Sequence, residues 1–240
     1  MWTSKVSENS VLILIPAYNE EKNIKLSVTK LIEQCKYDYL IIDDGSIDKT
    51  FDVCLKNGYH VIRHNQNKGL SQAIRTGMNY AWERGYKYVA QYDADGQHNA
   101  NDLVKMVEYI KKHKLDILCG NRFDKNKIYG HKNPFKEVVR KIFVYFFWKK
   151  TKIQINDPTN GLRIFGKNFI NQYYAFSKYE VEPATIAYSV GNKKLKIDEF
   201  QVTVNKRKYG KSKFSNFFKI IKYVVKQFVI YAVASKRWKY

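Results

Sequence analysis

An α/β fold built on a mostly parallel sheet is predicted for this 240-residue chain by three observations. Apolar runs of strand length alternate with helical patterns over the first 124 residues. The first run has no polar alternation, as in a strand buried on both faces. Each run closes on polar residues: Tyr18-Asn-Glu, Asp43-Asp-Gly-Ser, His64-Asn, Asp93-Ala-Asp and Asn121-Arg. Strands separated by helices argue for right-handed parallel crossovers. Ligands of such sheets bind beyond the carboxyl ends of the strands.

The elements follow in order. Residues 11–17 read as a strand, and 20–35 as a helix with Ile24, Val28, Leu31, Ile32 and Cys35 on one side. A second strand spans 39–42. Asp48 is placed as the N-cap of a helix running to Lys56, since a short side-chain oxygen satisfies a free N–H there. A third strand covers 60–64. A helix over 69–84 carries Ala73, Ile74, Gly77 and Ala81 at helical spacing. Residues 88–92 form the fourth strand. A helix starts at Asn101 or Asp102 and runs to about His113; 116–120 is the fifth strand. Beyond 124 the chain reads as an extension of the same domain. It has a turn at Asp157-Pro-Thr-Asn-Gly and a partly alternating strand over 195–204.

The length suits one large domain, and a hydrophobic content of 45% is ample for its core. Cys35, Cys54 and Cys119 are odd in number and lack metal spacing. Free thiols in a reducing cytoplasm account for them. No secretory leader pattern opens the chain. The net charge is +21, but it is not spread evenly. Residues 125–152 carry +8 and 206–240 carry +11, while 1–124 and 153–205 carry +1 each. Both basic segments are rich in aromatics.

Asp93 and Asp95 stand one residue apart where an apolar strand meets a loop. Continued strand alternation would point both side chains the same way. Their like charges call for a cation, and a hard divalent ion such as Mg²⁺ or Mn²⁺ takes oxygen ligands and shares them with phosphates. A solvated Asp-Gly turn is the alternative.

Several motifs line up in order: Ile15-Pro-Ala-Tyr-Asn-Glu, Ile42-Asp-Asp-Gly-Ser-Ile-Asp-Lys-Thr, Asn67-Lys-Gly-Leu-Ser-Gln-Ala, Asp93-Ala-Asp-Gly-Gln, Asp157-Pro-Thr-Asn-Gly-Leu-Arg and Arg207-Lys-Tyr-Gly-Lys-Ser-Lys. From about residue 11 to 215 the chain resembles family 2 inverting glycosyltransferases of the GT-A fold. Among them it is most similar to the dolichyl- and polyprenyl-phosphate sugar transferases. The resemblance implies a Rossmann-like, mostly parallel sheet with flanking helices. It implies that Pro16, Tyr18 and Glu20 line the nucleotide and that Asp44 accepts a hydrogen bond from the base. Lys68 and Gly69 belong to a loop near the nucleotide, and Ala94 lies beside it. Asp93, Asp95 and Gln97 match metal ligands. Arg207 and Lys213 match a basic loop that closes over phosphates, and Arg122 meets a phosphate or else makes a surface salt bridge. Glu182 matches an acidic position near the acceptor, either a base or an orienting group. His98 reads as a loop residue.

The chemistry implied is displacement at the anomeric carbon of a nucleoside diphosphate sugar. Charge builds on the departing diphosphate, where a Mg²⁺ or Mn²⁺ ion and nearby Arg or Lys stabilise it. A phosphate acceptor arrives ionised, whereas a sugar hydroxyl needs a base.

Lys219, Lys222 and Lys226 share one face of a helix predicted within 214–235, while Ile221, Val224, Val225, Phe228 and Ala232 share another. A spanning helix needs about 20 mostly apolar residues. Each lysine near its centre costs roughly 2.5–3.5 kcal/mol, against about 0.3–0.6 returned per apolar residue. Lying in the headgroup boundary of an anionic membrane is the better solution. Residues 133–150 behave alike, with Val138, Val139, Ile142, Phe143, Phe146 and Phe147 beside Lys136, Arg140, Lys141, Lys149 and Lys150. Nucleic acid is disfavoured, because an Asp-rich sheet edge repels a phosphate backbone.

The sequence therefore predicts a GT-A domain over 1–213 and a basic amphipathic helix over 214–240. It predicts transfer of a sugar from a UDP- or GDP-sugar to a polyprenyl phosphate at the cytoplasmic membrane face, by a peripheral protein. A small membrane partner or self-association fits the apolar helices. The alternatives are transfer to a sugar hydroxyl in polysaccharide assembly and an inactive membrane-binding module.

Overall fold

Seven strands among the described residues pair into one sheet. In chain order they are β1 (Val11–Ala17), β2 (Asp38–Asp43), β3 (Val61–Arg63), β4 (Tyr88–Gln91), β5 (Ile117–Asn121), β6 (Arg163–Gly166) and β7 (Ile197–Gln201). The helices are α1 (Ile24–Gln34), α2 (Thr50–Lys56), α3 (Leu70–Glu83), α4 (Ala100–His113), α5 (Pro134–Thr151), α6 (Lys167–Ala175) and α7 (Pro183–Lys193). A further helical stretch lies at 221–230. The computed structural model describes residues 10–123, 134–175, 182–205, 209 and 221–230. Across the sheet the order is β3-β2-β1-β4-β6-β5-β7. All pairs are parallel except those of β6, which runs against both β4 and β5.

The parallel frame is the expected one, and β1 and β5 inside it are buried on both faces. Along β1, Leu12 and Leu14 join one core with α3, α6 and α7. Val11, Ile13, Ile15 and Ala17 join the other, with α1 and α4. Pro16 sits where β1 has lost one neighbour. Pairing with β4 covers only Val11–Leu14, while pairing with β2 continues to Ala17. A residue without an N–H costs least there.

Three elements went unread in the sequence: β6, α6 and α7. β6 is only four residues long, begins on Arg163 and runs without a turn into α6. Neither length nor punctuation marks it as a strand. It nonetheless occupies the centre of the sheet, opposite Gln91 on one side and Cys119 on the other through Arg163. Two helix starts also move. α1 opens at Ile24 rather than residue 20, because Glu20–Asn23 form a turn in which the Glu20 carbonyl accepts from Asn23 N and Ile24 N. α4 is capped by Asn99, whose side chain accepts from Asn101 N at 2.9 Å. Asp102 instead turns to Thr203, accepting from its N–H and its hydroxyl, both at 2.7 Å. Asp48 does accept from Thr50 N at 2.9 Å, with Lys49 in the cap position itself.

The three cysteines are free and buried. Burial pushes Cys35 up to about 11 and, with nearby acidic charge, Cys54 and Cys119 up to about 12. The thiolate is the reactive form, so its population falls well below that of an ordinary thiol at neutral pH. An alkylating reagent at pH 8 is expected to label none of the three in the native protein and all three after denaturation, read by intact mass.

No helix among the described residues is long and apolar enough to cross a membrane. In α5, Phe143 and Phe147 are buried while Val138, Tyr145 and Trp148 are exposed. In the 221–230 helix the faces differ from the simple amphipathic reading. Gln227 is the buried residue, and Ile221, Val225, Phe228 and Val229 are exposed. The docked face is thus polar as well as apolar, and much of the apolar face is left outward.

Candidate active site

The carboxyl ends of β1, β2, β4 and β5 open on one edge. Because β6 is antiparallel, its preceding loop, Asp157–Leu162, arrives at that same edge. This gathers the acidic pair, Asp157 and the residues after β1 and β2 on one rim.

Asp93 and Asp95 lie here, but not on a strand. β4 ends at Gln91, and the chain turns through Ala94–Gly96. The alternation argument from the sequence therefore does not apply to them. Geometry comes instead from packing. Gln91 Nε2 donates to Asp93 Oδ1 at 3.4 Å, and His98 Nε2 lies 3.2 Å from Asp93 Oδ2. Burial raises the Asp93 carboxyl, but the His98 and Gln91 hydrogen bonds and the charges of His98 and Arg163 outweigh it. The group sits below the usual carboxylate range. A Cβ at Gly161 would overlap the Asp93 carboxylate. Only glycine lets the Asp157–Leu162 loop close on it. Asp95 Oδ1 accepts from Gln97 N at 3.0 Å, which fixes the turn. Ala94, between the two, is buried. His98 is buried too, and bridges to Val204 as Asn205 N donates to the Gln97 carbonyl. The segment after β7 thus clamps the Gln97–His98 turn.

Asp93, Asp95 and Gln97 offer carboxylate and amide oxygens on a half-buried rim. Among the described residues no group of three or more His, Cys, Asp or Glu is arranged to hold a metal ion. A protein cage for a softer metal is therefore absent among those residues. A small oxygen set suits Mg²⁺ or Mn²⁺, which keep waters or phosphate oxygens as remaining ligands. The donor chemistry fits such an ion.

The other rim residues fall as follows. Tyr18 is exposed and Glu20 half-buried beyond β1. Asp44 is buried and engaged by its own chain. It accepts from Lys68 N at 3.0 Å and Gly69 N at 2.7 Å, and lies 2.7 Å from His64 Nδ1. Gly69 caps α3 with φ 91°, a left-handed backbone that admits few other residues. The Lys68 side chain is exposed. Arg122 makes a bidentate pair with Asp157, at 2.6 and 2.8 Å. Burial lowers its basicity, but that bond and charge hold it above the usual arginine value. Asp157 is wholly buried, and its N–H donates to Glu199 Oε1 at 2.7 Å. Glu182 lies beside Ser71, Tyr223 and Lys226. Arg207 and Lys213 lie outside the described residues. Tyr209, between them, has its carbonyl 3.2 Å from Asn23 Nδ2, next to Glu20.

Sequence reasoning missed three contributors to the site: His98 as the partner of Asp93, Arg163 as its buried counter-charge, and Gly161 as its floor. Arg163 and Gly161 were visible within the Asp157-Pro-Thr-Asn-Gly-Leu-Arg motif. Only the antiparallel β6 explains why they face residue 93.

Comparison with known proteins bears on the family and the fold. Residues 12–179 match the profile of Glycosyl transferase family 2. A UDP-N-acetylglucosamine–dolichyl-phosphate N-acetylglucosaminyltransferase of Methanococcus voltae is 26% identical over 231 residues, which cover 88% of this chain and 92% of that protein. A polyprenol monophosphomannose synthase of Mycolicibacterium smegmatis is 29% identical over 119 residues, 47% of this chain and 44% of its own length. An uncharacterised protein of Methanocaldococcus jannaschii, MJ1222, is 34% identical over 126 residues, and the chain spans about half of its length (52%). By shape, glucosyl-3-phosphoglycerate synthase from Mycobacterium tuberculosis, crystallised with Mn²⁺, UDP and glucosyl-3-phosphoglycerate, aligns at TM-score 0.67 and 12% identity. That alignment covers 92% of this chain and 78% of the other. The likeness is of fold alone.

Proposed function

The chain belongs to glycosyl transferase family 2, and from that premise we propose that it moves a sugar from a nucleoside diphosphate donor to a polyprenyl phosphate. The observation that carries the reading is the braced Asp93 at the carboxyl edge of a GT-A sheet, in a chain whose relatives include a dolichyl-phosphate N-acetylglucosaminyltransferase and a polyprenol monophosphomannose synthase. Asp93, Asp95 and Gln97 would hold a Mg²⁺ or Mn²⁺ ion. Such an ion, when bound, supplies positive charge to the leaving diphosphate. His98 and Gln91 keep the Asp93 carboxylate oriented and ionised. Lys68 contributes positive charge at the rim where the phosphates would lie. The ionised acceptor phosphate needs no base, since its second pKa is about 6.

A membrane surface is the natural source of that acceptor. The outward Val138, Tyr145 and Trp148 of α5, and Ile221, Val225, Phe228 and Val229 of the later helix, sit among exposed lysines. That composition suits the anionic headgroup boundary on the cytoplasmic side. The protein is expected to sediment with phosphatidylglycerol vesicles at low salt and to be released as salt rises. Equal binding to neutral vesicles would count against the charge argument.

The function is tested by a donor screen of UDP- and GDP-sugars with undecaprenyl or dolichyl phosphate in detergent. One donor is expected to yield a lipid-linked sugar with Mg²⁺ or Mn²⁺ present, and none with EDTA. Turnover of a sugar-hydroxyl acceptor in place of the lipid, or metal-dependent UDP or GDP binding without any turnover, would overturn it.

A further inference from the structure

The carboxylate of Glu182 lies where three distant segments meet. It occupies the N-cap position of α7, yet makes no cap hydrogen bond with its side chain. That side chain turns instead to Ser71 on the first turn of α3 and to Tyr223 on the 221–230 helix. Ser71 Oγ donates to Glu182 Oε1 at 3.2 Å, Tyr223 OH donates to Oε2 at 2.9 Å, and Lys226 Nζ lies 4.0 Å from Oε1. The free N–H of α7 is taken by the same later helix: Ala184 N donates to the buried Gln227 Oε1 at 3.3 Å. Phe143 with Tyr223, and Phe146 with Phe228, add aromatic contacts on the far side. An apolar pocket lined by Phe143, Phe147, Ala184, Ala187, Gln227 and Phe228 separates these helices.

From this we infer that Glu182 is a positioning residue, a latch that holds the basic, outward-apolar 221–230 helix in register with the donor edge. The route is short. Ser71 lies two residues beyond Gly69, whose N–H together with that of Lys68 fixes Asp44. The outward-apolar helix is thereby fastened to the segment that carries Lys68 and Gly69. Both Glu182 oxygens are directed at hydroxyl partners, Ser71 and Tyr223, which is the geometry of a side chain held in place. The catalytic part of the inference rests on the lipid-phosphate reading above; the latch itself does not.

The experiment has two arms on the full chain. In the first, hydrogen exchange is followed without substrate in wild type, Glu182→Ala, Glu182→Gln and Tyr223→Phe. Alanine and phenylalanine are expected to speed exchange about tenfold at amides in 221–230 and at 184–187, the loss of one or two hydrogen bonds. The sheet amides stay unchanged, and glutamine, which can accept from one of the two hydroxyls through its oxygen and donate to the other through its amide nitrogen, stays within about threefold of wild type. Unchanged exchange in Tyr223→Phe and Glu182→Ala overturns the latch whatever the enzyme does. In the second arm, transfer to the polyprenyl phosphate is measured. Glu182→Ala and Tyr223→Phe are expected to lose about the same factor, near tenfold in kcat/KM, and their double variant no more than either alone. Glu182→Gln keeps most of its activity and the acid limb of its pH profile. If glutamine is as inactive as alanine and that limb vanishes, Glu182 is a base and the positioning role is wrong. If wild type transfers nothing to the lipid, the function fails while the exchange arm still decides the latch.

Discussion

Asp93→Asn is expected to lower sugar transfer by on the order of a thousandfold, with little change in the melting temperature. Asparagine fills nearly the same space against Gly161 and keeps one oxygen for Gln91. What it loses is the negative charge that His98 and Arg163 hold in place. If that charge holds the cation at the leaving diphosphate, the loss compares with removing a preorganised group that stabilises developing charge, about 10²–10³. The cation affinity should fall together with the rate, so raising Mn²⁺ should recover part of the activity. Asp95→Ala should behave alike, although it also frees the Gln97 N–H. Rates measured over a Mn²⁺ titration decide the matter. Wild-type turnover in Asp93→Asn would remove the cation from the account.

Asp157→Ala should show the largest loss of stability. Its carboxylate is fully buried and holds Arg122 by two charge-assisted hydrogen bonds, with Arg122 N as a third donor at 3.2 Å. Removing one partner of a buried pair leaves the other charge stranded, which costs about 3–5 kcal/mol. Arg122 is partly exposed, at 29% of its side chain, so the lower end applies. Urea unfolding should show the drop. Replacing both residues together should cost less than the sum of the single changes, because no lone charge remains. A loss below about 1 kcal/mol, the level of a surface ion pair, would show that water reaches the pair.

How far the sequence spoke depends on which forces set each feature. The first five parallel strands were legible as apolar runs, and their ends fell within a residue or two of the expected ones, whereas the edge strand β7 is shorter than the stretch read over 195–204. The polar strand ends were legible as residues, but several of them also serve the fold: Asp44 holds the Lys68 and Gly69 N–H groups, and Arg122 pairs with Asp157. β6 was silent. Its four residues take their strand conformation from β4 and β5, which lie far away in sequence. The same distance hid His98, Arg163 and Gly161 as supports of Asp93. Arg122 illustrates an ambiguity that residue types cannot resolve: a phosphate and a buried carboxylate make the same demand on a guanidinium. Asp102 read as a helix start because short acids favour that position, whereas Thr203, from a segment a hundred residues on, claims it.

The reversed direction of β6 also limits how this molecule can change. Ile164 and Leu162 fill one core and Phe165 the other. Adding or deleting one amino acid between Pro158 and Leu162 would slide the strand by one step and exchange those faces. Its two hydrogen-bonded neighbours leave no slack to absorb the slip. The connection from Asp157 to Arg163 is therefore fixed in length, as rigid as a spacer. New acceptor preferences would have to arise by exchanging side chains there, or by lengthening stretches that no central strand anchors at both ends.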